Sequence, residues 1–159
     1  MKEIAVTNRK LCQGDFLAQI AKIAAREPWA ILLREKDLDA FEYTSLASQV
    51  KEICDGVPLI AHTYPVEGLP FHPPFASIHS IEEAKRAEEL GARFIIAGHV
   101  FETRSKPGLP PRGLDFLRGV CESVKIPVFA IGGITDQNAR QCIEAGAFGV
   151  CRMSYWMKV

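Results

Sequence analysis

The chain has 159 residues, 48% apolar and 24% charged, with nineteen basic residues balanced by nineteen acidic ones. That is ordinary globular composition, and the neutral balance provides no basic excess for gripping nucleic acid or an anionic membrane. At this length folding buries roughly 68–70% of the chain's surface, so a single domain over residues 1–159 is expected without a disulfide or metal staple.

Short β-type runs alternate with amphipathic stretches, the pattern of an α/β fold with a parallel sheet. Residues 4–7 predict a strand and 15–26 a helix, with Phe16, Ile20 and Ile23 on one stripe. Residues 29–34 predict a buried strand. A helix is expected over 44–53, carrying Leu46, Val50 and Ile53 and stopped by Asp55-Gly56, and a strand over 57–61. Between His62 and Phe75, Pro65, Pro70, Pro73 and Pro74 forbid a helix and leave room for one short strand at 69–72. Residues 76–79 are extended, and a helix over 80–90 opens with Ser80 and Glu83 in capping-box spacing. Strands follow at 94–98, 128–131 and 149–153, with helices at 114–123 and 136–145 between them.

The segments 84–98 and 139–153 echo each other as helix, Gly-Ala, strand, which a closed βα array would produce. Seven strands, or eight with 69–72, and five helices point to a shortened (β/α)8 TIM barrel lacking one or two helices around residues 62–76. A complete barrel needs roughly 200 residues or more. An open doubly wound sheet is the alternative. The five cysteines (Cys12, Cys54, Cys121, Cys142, Cys151) contain no C-x-x-C pair, the first residues lack the apolar stretch of a signal peptide, and no segment is apolar enough to cross a membrane. A reduced, cytoplasmic protein is expected.

In βα folds ligands bind beyond the carboxyl ends of the strands. After the second strand, Arg34 and Lys36 share a face by period-two alternation, either as cations for a phosphate or as a solvated loop. After 94–98 comes a Gly/Pro-rich loop in which Thr103, Ser105 and Lys106 offer hydroxyl and ammonium donors beside Arg104. Loops of that length in a compact domain are usually functional. Gly132-Gly133 follows 128–131, where the lack of Cβ lets amides approach an anion, and Ser154 follows Met153 after the last strand. Ser77 and His79 share parity at another strand end, and a histidine there can move protons near neutral pH. His62 and His99 also stand at strand ends, and position alone does not choose among the three.

The segments LLREKDL (32–38), SIHSIEEA (77–84), GHVFETRSKPGLPPRGLDFL (98–117), IPVFAIGGIT (126–135) and GAFGVCRMS (146–154) together resemble the thiamine phosphate synthase/TenI superfamily of (β/α)8 barrels. The resemblance implies that Lys36, Thr103, Ser105 and Lys106 contact a pyrophosphate. It implies that Gly132, Gly133, Met153 and Ser154 hold a thiazole phosphate, and that Ser77 and His79 belong to a TenI-type tautomerase site. The synthases of the superfamily hold Mg²⁺ with an Asn-Asp pair after strand three and an Asp after strand four. Here the first position reads Ala61-His62, no acid occurs from Gly68 through Ile81, and Leu32 replaces the synthase glutamine. The resemblance therefore favours a thiazole tautomerase with His79 as the catalytic residue and no cofactor. Synthase activity, with Mg²⁺, is the alternative, and a non-catalytic ligand-binding remnant is the third reading. The implied partner is a small phosphorylated thiazole. If helices are missing, an apolar flank at 58–60 and Ile78 is left uncovered, and a homo-oligomer is expected to cover it.

Overall fold

In the computed structural model, which describes residues 1–159, seven strands alternate with five α-helices. The chain divides into two units, each built of parallel strands and the helices that follow them. The amino-terminal unit comprises Glu3–His72 with Met153–Val159, and the carboxyl-terminal unit comprises Met1–Lys2 with Pro73–Arg152.

In the amino-terminal unit the order is β1 (Lys2–Val6), α1 (Phe16–Ala24), β2 (Ala30–Leu33), α2 (Ala40–Ile53) and β3 (Leu59–Ala61). The strands run parallel in the order β3-β2-β1, with Ala5 beside Ile31 and Ile31 beside Leu59. Asp15 caps α1 by accepting from the Ala18 N–H at 2.7 Å. A complete capping box, Asp39 with Glu42, starts α2 several residues before the predicted Thr44. The inward face of α2 is accordingly Tyr43, Ala47 and Val50, while the predicted Leu46 and Ile53 are only half-buried. The returning end of the chain closes this core with buried Trp156 and Met157, and Gln19 Nε2 donates to the Trp156 and Val159 carbonyls.

Between β3 and residue 73 no helix forms. The predicted strand at 69–72 shrinks to one bridge, in which the Ala61 N–H donates to Pro70 O and the His72 N–H to Ala61 O, both at 2.8 Å. The flanking Pro70 and Pro73 have no N–H with which to extend the ladder.

The carboxyl-terminal unit runs β4 (Ser77–Ile78), α3 (Ile81–Glu89), β5 (Ile95–Gly98), α4 (Gly113–Ser123), β6 (Val128–Ile131), α5 (Ala139–Glu144) and β7 (Gly149–Arg152). Its strands are parallel in the order β4-β5-β6-β7, with Ser77 beside Ile96, Ala97 beside Ala130 and Ile131 beside Cys151. Half of the capping box predicted for α3 forms. Ser80 Oγ accepts from the Glu83 N–H at 3.1 Å, but the Glu83 carboxylate reaches past Ser80 to the His79 N–H. Helix α5 starts later than predicted because Asn138 ties up the preceding turn. Its Oδ1 accepts from the Thr135 N–H at 2.8 Å and its Nδ2 donates to Gly133 O at 3.0 Å.

The uncovered apolar flank expected at 58–60 and Ile78 does not exist. Leu59, Ile60 and Ile78 are all buried within the chain and only Pro58 is exposed. The short return segment packs where helices were thought necessary, with Tyr64, Val66 and Leu69 lying against the core that holds Leu59. The argument for a homo-oligomer that rested on this flank falls with it.

Candidate active site

In the carboxyl-terminal unit, β4 ends on buried Ile78, flanked by half-buried Ser77 and His79. The His79 ring is held on both sides. Its Nδ1 lies 3.4 Å from Glu83 Oε2 and its Nε2 lies 3.4 Å from Lys106 Nζ. Partial burial and the Lys106 ammonium push the His79 pKa down, the Arg112 charge adds to this, and Glu83 opposes it. The ring is therefore a neutral base at pH 7, oriented by a carboxylate as in other histidine acid/base sites.

Lys106 reaches His79 because its loop is pinned at the base. The Arg112 N–H donates to His99 O and the Gly113 N–H to Val100 O, both at 3.0 Å, and the His99 ring lies 3.3 Å from Leu109 O. Within the loop, Thr103 Oγ1 accepts from the Ser105 N–H at 3.3 Å and Thr103 O from the Lys106 N–H at 3.2 Å. Thr103 thus shapes the turn that presents Lys106, while Ser105 stays exposed.

Gly132 and Gly133 both have positive φ. A Cβ on Gly132 would come within 2.7 Å of His99 Cα, and one on Gly133 would overlap Glu102 O. The Phe101 N–H donates to Gly132 O at 3.0 Å. The pair is required first by the close approach of the 99–102 backbone; any role toward an anion is additional to that.

In the amino-terminal unit, Arg34 is half-buried, Lys36 is exposed, and the residue between them is a buried carboxylate. Glu35 accepts from Thr7 Oγ1 at 2.8 Å and from the Arg9 N–H at 3.1 Å, with Arg9 Nε at 3.3 Å. Burial raises its pKa, and these donors pull against that rise. Burial likewise lowers that of Arg34, with Glu35 opposing. At the end of β3, His62 and His72 stack with ring centroids 6.0 Å apart. Burial lowers both, His62 to about 4 with help from the Arg34 and Lys36 charges, and His72 to about 3 with help from His62. Beyond β7, Met153 is half-buried and Ser154 exposed.

The structure thus joins His79 to Lys106 and places Arg34 at the end of β2 near His62. Sequence reasoning placed His62 at a strand end but missed its stacking on His72, the buried role of Glu35, and Tyr43, whose hydroxyl donates to Leu33 O at 2.6 Å and accepts from the His62 N–H at 3.0 Å. The alternation that aligned Arg34 with Lys36 also turns Glu35 to the opposite face, toward the polar end of β1, and that was its signal. A cavity of about 590 Å³ in this unit lies at the far ends of β2 and β3, lined by Trp29, Pro58 and residues closing α1 and α2. None of the predicted site residues lines it.

The donor set does not suit Mg²⁺, which prefers hard oxygen ligands and usually one or two carboxylates. The strand ends offer His62 and His79, the Glu35 carboxylate is committed to Thr7 and Arg9, and no three His, Cys, Asp or Glu side chains are grouped as a metal site.

Parallel strand–helix units define an α/β protein of the (β/α)-barrel class. The thiamine monophosphate synthase family matches residues 76–155. A thiamine-phosphate synthase of Coprothermobacter proteolyticus is 34% identical over 97% of this chain and 86% of its own length. Another, from Pyrococcus furiosus, is 48% identical over half of this chain and 38% of its own. A thiamine phosphate pyrophosphorylase structure from Pyrococcus furiosus superposes with a TM-score of 0.82 at 26% identity, covering 99% of this chain and 88% of that one. The chain belongs to the thiamine monophosphate synthase family, and its fold is a shortened form of that family's α/β barrel. The Coprothermobacter alignment runs to 181 positions, longer than the chain itself, as a deletion requires. No helix is long and apolar enough to cross a membrane.

Proposed function

We propose that this protein is a thiamine-phosphate synthase, joining a pyrimidine pyrophosphate to a thiazole phosphate with release of pyrophosphate. The observation that carries this reading is likeness to thiamine-phosphate synthases along nearly the whole chain, in sequence and in fold. The geometry is compatible with it. In the carboxyl-terminal unit, Lys106 and the Arg112 charge, both acting on the neutral His79 ring, form a cationic group suited to a phosphorylated substrate. Thr103, Ser105, Gly132 and Gly133 frame that unit's strand ends. Arg34 and Lys36, with Met153 and Ser154, do the same in the amino-terminal unit.

A second reading, the metal-independent thiazole tautomerase, is favoured by one specific arrangement. His79 is held neutral and oriented by Glu83 as a base would be, and aromatising a thiazole carboxylate phosphate needs only an anion clamp and one acid/base group.

The deciding assay offers both substrate sets. Thiamine phosphate formation with stoichiometric pyrophosphate supports the synthase; aromatisation of the carboxylate without coupling overturns it in favour of the tautomerase. His79→Asn separates them further. Loss of a positioned acid/base lowers tautomerase turnover about 10²–10⁴-fold with phosphate-ligand affinity nearly unchanged. An unaltered rate in that variant removes His79 from proton transfer.

A further inference from the structure

Three basic side chains gather at the carboxyl edge of the amino-terminal unit. The β2–β3 register sets Leu33 beside Ala61, so the next residues, Arg34 and His62, leave neighbouring strands side by side, at a strand spacing of about 4.8 Å. The Glu35 N–H donates to Thr63 Oγ1 at 3.1 Å and ties the two strand ends together. The charges of Arg34 and Lys36 both act on the His62 ring. Glu35, the acid of this segment, faces away and is occupied by Thr7 and Arg9. The His62 backbone is fixed by the Tyr43 hydroxyl, its ring stacks on buried His72, and its Nδ1 is buried without a hydrogen-bond partner. Two cations beside an imidazole whose Nδ1 lacks a hydrogen-bond partner repel a divalent metal ion and attract a polyanion.

We propose that Arg34, Lys36 and His62 form a metal-free diphosphate site in which His62 takes up a proton as the anion binds. The ligand's identity, a pyrimidine pyrophosphate, rests on the synthase reading; the site itself needs only the diphosphate group. The groups facing His62 are Arg34 and Lys36 from the end of β2, His72 from the return segment and the Tyr43 hydroxyl from α2, with Glu35 near that hydroxyl. In the free protein burial, helped by the Arg34 and Lys36 charges, keeps the ring neutral. A diphosphate carrying three negative charges next to Arg34 and Lys36 reverses the local field and makes the imidazolium the stable form. Its charge then performs the neutralisation that a metal ion performs elsewhere.

The test is calorimetry with inorganic pyrophosphate at pH 7.5, where the ligand is a trianion, in EDTA and repeated in buffers of different ionisation enthalpy to count protons. The wild-type protein is expected to bind without Mg²⁺ and to take up a proton. His62→Asn is expected to lose that uptake and about tenfold in affinity, the equivalent of one charge-assisted hydrogen bond. His62→Asp is expected to bind only when Mg²⁺ is added. Wild-type binding that requires Mg²⁺, or an Asn variant with unchanged affinity and proton count, overturns the proposal. Should the variants not fold, ¹⁵N shifts of the His62 ring in the wild type decide, and a ring that stays neutral at saturation overturns it. Thiamine phosphate formation is scored separately. Pyrophosphate binding with no coupling defeats the synthase reading alone, and coupling with no metal-free pyrophosphate binding defeats this site alone.

Discussion

The strand ends of the two units handle charge in opposite ways. In the carboxyl-terminal unit the ionic groups are at least partly exposed, Lys106 coming from a loop and Glu83 from α3, and they flank a His79 ring that keeps contact with solvent. Backbone supplies the rigidity there: residues 99–102 press on Gly132 and Gly133, and main-chain bonds pin the loop at both ends. In the amino-terminal unit the ionic groups are themselves the buried framework, with Glu35 bracing β1 against β2 and the His62–His72 stack filling the end of β3. The contrast teaches that a polar residue at a strand end has a structural duty in proportion to its burial. Substitutions of the buried groups Glu35 and His72 should cost stability, and those of the half-exposed His79 and Lys106 function.

The largest effect expected is that of acid on the amino-terminal unit. His62 and His72 titrate near 6.5 when unfolded but at about 4 and about 3 when folded. Between those values the unfolded chain binds more protons, so stability present above pH 6.5 is lost as pH falls toward 3. At ~1.4 kcal/mol per pKa unit the two histidines together account for a loss on the order of 8 kcal/mol by pH 3, most of it already reached at pH 4. Urea titrations from pH 7 to 4 should show it, and the slope should flatten in His62→Asn/His72→Asn. A wild-type slope no steeper than the variant's would break the comparison.

Next is Gly133→Ala, where positive φ and overlap with Glu102 O predict a loss of about 3 kcal/mol, read as a lower denaturation midpoint. A near-neutral result would mean that the 99–102 backbone gives way easily. Glu35→Ala leaves the Arg9 N–H and Thr7 hydroxyl without their acceptor, at roughly 2 kcal/mol. Lys106→Ala, by contrast, should leave the midpoint unchanged while weakening phosphorylated-substrate binding.

The smallest effect sharpens the contrast through helix caps. Asp39→Ala removes a reciprocal box and Ser80→Ala only half of one, so Asp39 should cost more, both at about 1 kcal/mol. Thermal midpoints of the two variants would settle the order.

Much of the fold was legible because its signals are local. Strand β6 at Val128–Ile131 is as predicted, and the proline-rich gap between β3 and β4 was visible in composition alone. The Asp39–Glu42 box was equally readable but was passed over for an apolar stripe, which displaced the start of α2 and its inward face. The site was half legible. Parity placed Ser77, His79, Arg34 and Lys36 at strand ends, and the resemblance supplied their company. That Lys106 rather than Arg104 reaches His79 depends on how the 99–112 loop is pinned, which no spacing rule encodes.

By itself the sequence determined the alternation of strands and helices, the family, and the loss of acidic residues where a hard metal ion would need them. Period, capping and donor chemistry are properties of short stretches of chain. Only the tertiary structure decided that Glu35 is a brace, that His62 and His72 stack, and that Leu59, Ile60 and Ile78 are covered. Burial, and with it the ionisation of a buried group, is set by residues far apart in the chain, here Thr7 against Glu35 and Tyr43 against His62.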